Sequence, residues 1–339
     1  MNSEEISSRS RLAVVGVAKN CGKTTTLNYL LRKRVGPPPA LISIGVDGES
    51  EDILLGTSKP PIEVQPGQWV VTAQQAAERS TARLEYIQPL GIETPLGEVL
   101  ACRVVDRGTV MLAGLRHRRE VLRALEILEE SGCEDIWIDG AYGRVAGAHP
   151  SVTDAVVIST GAIAAAGVDG VVERTRDLIS RLVLPPVEDK AQRSVLEYAI
   201  AEDRAFLLDE EKGAVALPAR SALIGLSRAR KSWTPTIKAV AVPGLVSDRV
   251  AEELLAARSE GVLLIPDGTV LHLDRRLWRR LRQEWTVRAL HPIEVAGISY
   301  NPTSITSSAV KDEVLAGALR EAWPGLSVFN PERGRPRPQ

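Results

Sequence analysis

Residues 12–26, Leu12-Ala-Val-Val-Gly-Val-Ala-Lys-Asn-Cys-Gly-Lys-Thr-Thr-Thr26, constrain this chain more than any other stretch. An apolar, β-branched run reads as a buried strand. A loop bounded by glycines follows, and Gly22-Lys23-Thr24 opens a segment with Leu27, Leu30 and Leu31 at helical spacing. Strand, glycine-bounded loop and helix start is the layout of a phosphate-binding loop. Successive backbone N–H groups form an anion nest, and the helix turns its positive dipole end toward the phosphates. Gly16, Val17, Ala18, Lys19, Asn20, Cys21, Gly22, Lys23, Thr24 and Thr25 would make the cradle. Lys23 would reach the β- and γ-phosphates and the Thr24 hydroxyl would ligate Mg²⁺. The alternative is a strand, turn and helix with an incidental Gly-Lys.

Five residues separate Gly16 from Gly22, one more than in the commonest form of this loop. The spacing is similar to that of dethiobiotin synthetases, members of the P-loop class that includes MinD, Mrp and nitrogenase iron proteins. In that class a second loop lysine reaches across a dimer to the partner's nucleotide. Lys19 lies one residue out of that position, so it reads either as this lysine or as a solvated loop residue.

Strands alternating with helices indicate an α/β fold, a mostly parallel sheet with helices on both faces. The pattern predicts strand 12–16, helix 23–34 and strand 40–45, with Pro37-Pro38-Pro39 stopping the first helix. A helix at about 116–131, strands 135–138 and 154–159, helix 168–184, strand 293–299, helix 309–322 and strand 326–329 complete the core. Two segments break the rhythm. Residues 50–115 read as a β-rich insertion with helical periodicity only at 72–79. Residues 187–290 read as an α/β insertion with helices 190–202, 247–258 and 274–283 and strands from Ile237 and Gly261. The nucleotide-binding core is then 11–49, 116–186 and 291–329. Residues 1–10 and the Pro/Arg-rich 330–339 read as disordered.

Length and balance narrow the function. At 339 residues, two domains or one with large insertions are expected. A net charge of −1 gives no reason to invoke nucleic acid or an acidic membrane surface. The longest apolar run, 155–168, is broken by Ser159-Thr-Gly161 and is too short to span a bilayer. Cys21, Cys102 and Cys133 form no C-x-x-C and the four histidines are scattered, so no metal cluster is visible and a reducing cytoplasm is implied. The polar N-terminus does not read as a signal peptide.

A phosphate-binding loop needs an acid to hold Mg²⁺, and Ile136-Trp-Ile-Asp139-Gly140 supplies an apolar strand ending in Asp. Asp47, at the end of the second strand, is the candidate for approaching the metal or the attacking water, with Glu49 second to it; a polar turn is the alternative. Arg144 would stabilise transferring charge in cis, or cap a helix or pair at the surface. Thr160 and Gly161 end a further core strand at the side of the sheet where ligands bind. No strand is followed by the Asn/Thr-Lys-x-Asp of guanine recognition, which favours ATP. Asn301 is either an adenine contact or a plain Asn-Pro turn.

Several segments together resemble one family. Residues 15–31, Ile44-Gly-Val-Asp-Gly-Glu49 with Gly56-Thr-Ser-Lys-Pro60, Ile138-Asp-Gly-Ala141 with Arg144, Ser159-Thr-Gly-Ala162, Ile265-Pro-Asp-Gly-Thr269 and Ser299-Tyr-Asn-Pro-Thr-Ser304 are similar to the ATPase subunit (KamB-type) of lysine 5,6-aminomutase reactivases. Tyr142 and the Arg/Pro-rich tail depart from that pattern. The resemblance implies a Mg²⁺-dependent ATPase of low basal rate. It would work with a second, MutS-like ATPase subunit to free an adenosylcobalamin-dependent aminomutase of damaged cofactor. The chain itself has no Asp-x-His-x-x-Gly cobalamin loop. A homo-oligomer is compatible with this reading. The rivals are a dethiobiotin-synthetase-like small-molecule ligase, a metallochaperone GTPase and a nucleotide-binding module without turnover. The two insertions are the expected partner surfaces.

Overall fold

The computed structural model describes residues 3–44, 61–140, 145–230, 233–257, 260–303 and 310–333. Asp47, Glu49 and Arg144 lie outside these residues. The chain divides into two compact units, 1–179 with 294–339, and 180–293. The second contains the expected α/β insertion.

In the first unit, β1 (Arg11–Gly16), β2 (Ala40–Ile44), β3 (Ile62–Val64), β4 (Trp69–Ala73), β5 (Arg83–Thr94), β6 (Gly97–Asp106), β7 (Gly108–Val110), β8 (Ile136–Gly140) and β9 (Ala155–Gly161) precede the second unit. The second unit holds β10 (Phe206–Asp209), β11 (Gly213–Ala216), β12 (Ile237–Ala241), β13 (Val246–Ser247), β14 (Gly261–Ile265), β15 (Leu271–His272) and β16 (Trp285–Ala289). The chain then returns as β17 (Glu294–Asn301) and β18 (Ser327–Phe329). The main sheet runs β18-β17-β9-β1-β8-β2-β4-β6-β5. From β18 to β4 every pairing is parallel, and β6 and β5 add an antiparallel hairpin.

The continuous apolar runs of β1, β8 and β9 are buried on both faces, as central parallel strands must be. Leu12, Val14, Trp137, Ala155 and Val157 form one face, against Leu27 and Leu30 of α2 (Lys23–Lys33). The opposite face receives a short 3₁₀ turn at Val145–Ala148, whose Gly147 lies against Ala13 and Ile138. After α3 (Gln74–Glu78) and α4 (Arg118–Glu130) comes α5 (Gly167–Leu182), which also lies on that face, where its Thr175 meets Thr160.

Two sequence expectations, of disorder at either terminus, are corrected over the described residues, and a third is refined. Within the N-terminal stretch read as disordered, residues 3–10 are placed. Ser3–Ser7 form a short helix, α1, and Ile6 is fully buried beside Gly297, where an added Cβ would stand 2.7 Å from its Cδ1. A lone apolar side chain in a polar run gives no periodicity, but one anchor over a glycine suffices to dock a turn. Ile6→Ala is expected to cost about 2 kcal/mol, the low end for such truncations because a terminal turn can relax; chemical denaturation would measure it, and no change would contradict the docking. The β-rich insertion expected at 50–115 is described from residue 61, and its longer strands join the main sheet. Leu41↔Val70 and the β4–β6–β5 pairings make 69–106 a continuation of the main sheet. At the other terminus Asn330 donates to Asp312 Oδ1 at 2.8 Å and Pro331 is buried, so 330–333 are placed.

The second unit is a five-stranded sheet, β11-β10-β12-β14-β16, with β12, β14 and β16 parallel. One face packs on α6 (Lys190–Ala201) through Val195, Leu196 and Ala199. The other is covered by α7 (Ala222–Ala229), α8 (Asp248–Ala257) and α9 (Arg275–Glu284), with Leu226, Leu254 and Trp278 in its core. No helix among the described residues is long and apolar enough to cross a membrane.

Candidate functional site

The carboxyl ends of β2, β8, β1, β9 and β17 lie along one edge of the main sheet, because all five are parallel. The loop of residues 17–22 leaves β1 at this edge and enters α2. Ser159 fixes it at both ends: its carbonyl accepts the Val17 N–H at 2.9 Å, and its hydroxyl donates to the Cys21 carbonyl at 2.8 Å. At the helix start Thr26 bonds the Gly22 carbonyl through its N–H at 2.8 Å, and its hydroxyl meets Ser299 Oγ at 2.7 Å. Ser159, Ser299 and Thr26 thus hold the loop in shape.

The backbone inside the loop is left-handed at Asn20, φ 59°, and at Gly22, φ 94°. Asparagine tolerates that region and glycine favours it. Gly16 is required for closeness instead. A Cβ there would stand 2.7 Å from Cys21 Sγ and 2.9 Å from Lys23 Cδ. The Lys23 stem and the Cys21 side chain therefore fold over Gly16, and Cys21 is buried as packing. Gly22 carries no side-chain cap, and the first turn of α2 has no acidic residue. The N–H groups of that turn have no partner within the helix.

Asp139 comes to this helix start from β8. Its register partner is Val14, so its side chain emerges on the α2 face. The Thr24 hydroxyl donates to Asp139 Oδ2 at 3.5 Å, and both residues are buried. Gly140 lets β8 run close to β1, since a Cβ there would be 2.6 Å from the Val14 carbonyl. The sequence-derived pair Thr24 and Asp139 is thus brought together.

Other candidates are placed differently. Lys19 is exposed on the loop. The Thr160 hydroxyl is fully buried against Thr175 Oγ1 at 2.8 Å, on the face of the sheet opposite α2. It braces α5. Asn301 Oδ1 accepts from the Thr303 N–H and hydroxyl at 2.9 and 2.7 Å, closing an Asn-Pro turn. Its Nδ2 amide is then the group that would face a base, and an amide donor suits acceptors on adenine and guanine alike. Gly161 is opposite Asn301, and a Cβ on it would stand 2.3 Å from the Asn301 carbonyl. Gly161→Ala is expected to push the ends of β9 and β17 apart at about 1–3 kcal/mol. It would disturb the bond from the Ala162 N–H to the Asn301 carbonyl. Thermal denaturation would report it, and an unshifted midpoint would refute the close approach.

Sequence reading missed the roles of Ser159, Ser299 and Thr26 because they arise from strand register. The signal available was polar residues at the ends of otherwise apolar strands. Among the described residues no group of three or more His, Cys, Asp or Glu could hold a metal ion. A Mg²⁺ taken with nucleotide phosphates needs only one or two protein oxygens, which Thr24 and Asp139 fit. Burial pushes the Cys102 and Cys133 thiols up to about 12 and about 11. Comparisons with protein-family models, with curated proteins and with solved structures found no match to this chain.

Proposed function

We propose that this chain is a Mg²⁺-dependent P-loop ATPase that acts on a protein partner. The observation that carries the reading is the placement of the Thr24 hydroxyl beside the Asp139 carboxylate at the uncapped start of α2, below a loop closed over Gly16. In this reading the N–H groups of residues 22–25 bind the β-phosphate and Lys23 spans the β- and γ-phosphates. Thr24 and Asp139 orient Mg²⁺, which when bound would neutralise charge on the transferring phosphoryl group. Asp47 and Arg144 are the candidates for positioning water and stabilising charge. The resemblance to KamB-type reactivase subunits supports a MutS-like partner subunit and an adenosylcobalamin-dependent aminomutase as target. Nucleotide-dependent opening of that mutase would be a population shift driven by differential binding.

The test is titration of purified protein with ATP and GTP, with and without Mg²⁺, followed by turnover. ATP binding that needs Mg²⁺, with slow hydrolysis, is expected. GTP bound equally well would leave the loop reading intact and remove the adenine preference. Binding of neither nucleotide would overturn the proposal.

A further inference from the structure

The same sheet edge carries a second feature that the nucleotide does not use. Leu115 pairs in parallel with Ile44, at the carboxyl end of β2. The chain then runs Arg116-His117-Arg118-Arg119 into α4 (Arg118–Glu130). The cluster therefore projects from the edge where the phosphate-binding loop lies. Leu115 is three strand spacings from β1, about 14 Å at roughly 4.8 Å each.

Its charges are arranged against the grain of the helix. Cations are unfavourable at a helix N-terminus, where the dipole is already positive. Here two arginines stand in the first turn and a third two residues before it. The acid of that turn, Glu120, accepts the N–H groups of Arg116 and His117 at 2.7 and 3.0 Å. Among the described residues, no carboxylate forms an ion pair with the side chain of Arg116, Arg118 or Arg119. Arg118 meets the His149 ring instead. His117, Arg118, Arg119 and the partly buried Leu122 line a hollow of about 470 Å³ that is open to solvent.

We propose that this hollow is a docking surface for an acidic segment of a partner protein. Guanidinium forks match carboxylates two bonds at a time, and arginine is enriched in protein interfaces. An open hollow with exposed arginines suits a segment laid across it. Small molecules favour sites that enclose most of their surface. Nucleic acid needs a wider basic surface than the two arginines that line the hollow, with the partly buried Arg116 preceding them, on a chain of net charge −1. Leu122 supplies an apolar contact between the charges. The surface rests on its own residues and stands whether or not the loop binds ATP. If both hold, partner and nucleotide meet on one edge.

The test is binding of a fluorescent hexaglutamate peptide at low salt, in the absence of nucleotide. Wild type should bind and weaken as salt rises. R116Q/R118Q/R119Q should bind at least tenfold more weakly, and R116K/R118K/R119K should recover much of the loss. Circular dichroism would confirm that both variants fold. Undiminished binding by the glutamine variant would overturn the proposal. So would duplex DNA binding more tightly than the peptide, or inorganic phosphate or citrate displacing it at equal concentration. The last result would point to a small oxyanion substrate and favour the ligase reading. Stronger peptide binding when Glu49, Glu51 and Asp52 are changed to Gln would assign the arginines to this chain's own acid run and also overturn it.

Discussion

Lys23→Ala is expected to weaken Mg·ATP binding roughly a hundredfold or more while leaving the fold intact. Lys23 opens α2 and lies partly exposed, with its stem over Gly16. Its ammonium would make two charge-assisted bonds to phosphate, each worth about 1.5–3 kcal/mol. Every 1.4 kcal/mol is about tenfold in affinity, so losing two bonds exceeds two orders of magnitude. The side chain fills no part of the apolar core, so the denaturation midpoint should barely move. Lys19→Ala, on the exposed side of the loop, should have a smaller effect. Titration calorimetry with both variants separates these outcomes. Retained affinity in Lys23→Ala would remove the loop from the site, because no other residue at the start of α2 carries a positive side chain.

Trp278→Ala is expected to destabilise the second unit by about 3–5 kcal/mol, the range for truncating a buried aromatic. Trp278 is fully buried among Leu226, Leu254 and Leu281, and its indole N–H donates to Ser180 Oγ at 2.9 Å. Truncation leaves a cavity and strips the hydroxyl of its donor. The Arg282 guanidinium, 5.5 Å from the ring centroid, also loses its face. Trp278→Phe should restore much of the packing but not the bond to Ser180. Hydrogen exchange over residues 180–293 would read the loss directly. An effect below about 1 kcal/mol would mean that the site collapses around the gap, which the close packing of α8 and α9 argues against.

How much of this was legible in the sequence depends on how local each cause is. β1, β8 and β9 could be read because a central parallel strand shows an unbroken apolar run. The loop could be read because Gly16 and Gly22 serve needs fixed within ten residues. Asp139 followed from its place at a strand end. β10, β11 and β16 were not foreseen. Phe206-Leu-Leu-Asp209 is too short to show a period, and Trp285-Thr-Val-Arg-Ala289 follows an arginine-rich helix that masks its alternation. Helix α7 was missed beside a mixed polar run. The bracing of Thr160 by Thr175 and the Asn301 turn depend on which face of which strand each residue occupies, and neighbours along the chain do not encode that. The basic cluster at 116–119 drew no notice, since its meaning lies in the sheet edge from which it projects.

The order of the main sheet also has a consequence for synthesis. β9 and β17 are partners, yet residues 162–293 are made between them. At roughly 5–20 residues per second a ribosome needs on the order of ten seconds to cross that interval. Throughout it, β9 presents on an open margin the backbone N–H and C=O groups that pair with β17 in the finished molecule. The nascent chain thus passes through a long window in which a sticky strand awaits its neighbour. A rare-codon pause before β17 would lengthen it, and the yield of native protein should fall as the pause grows.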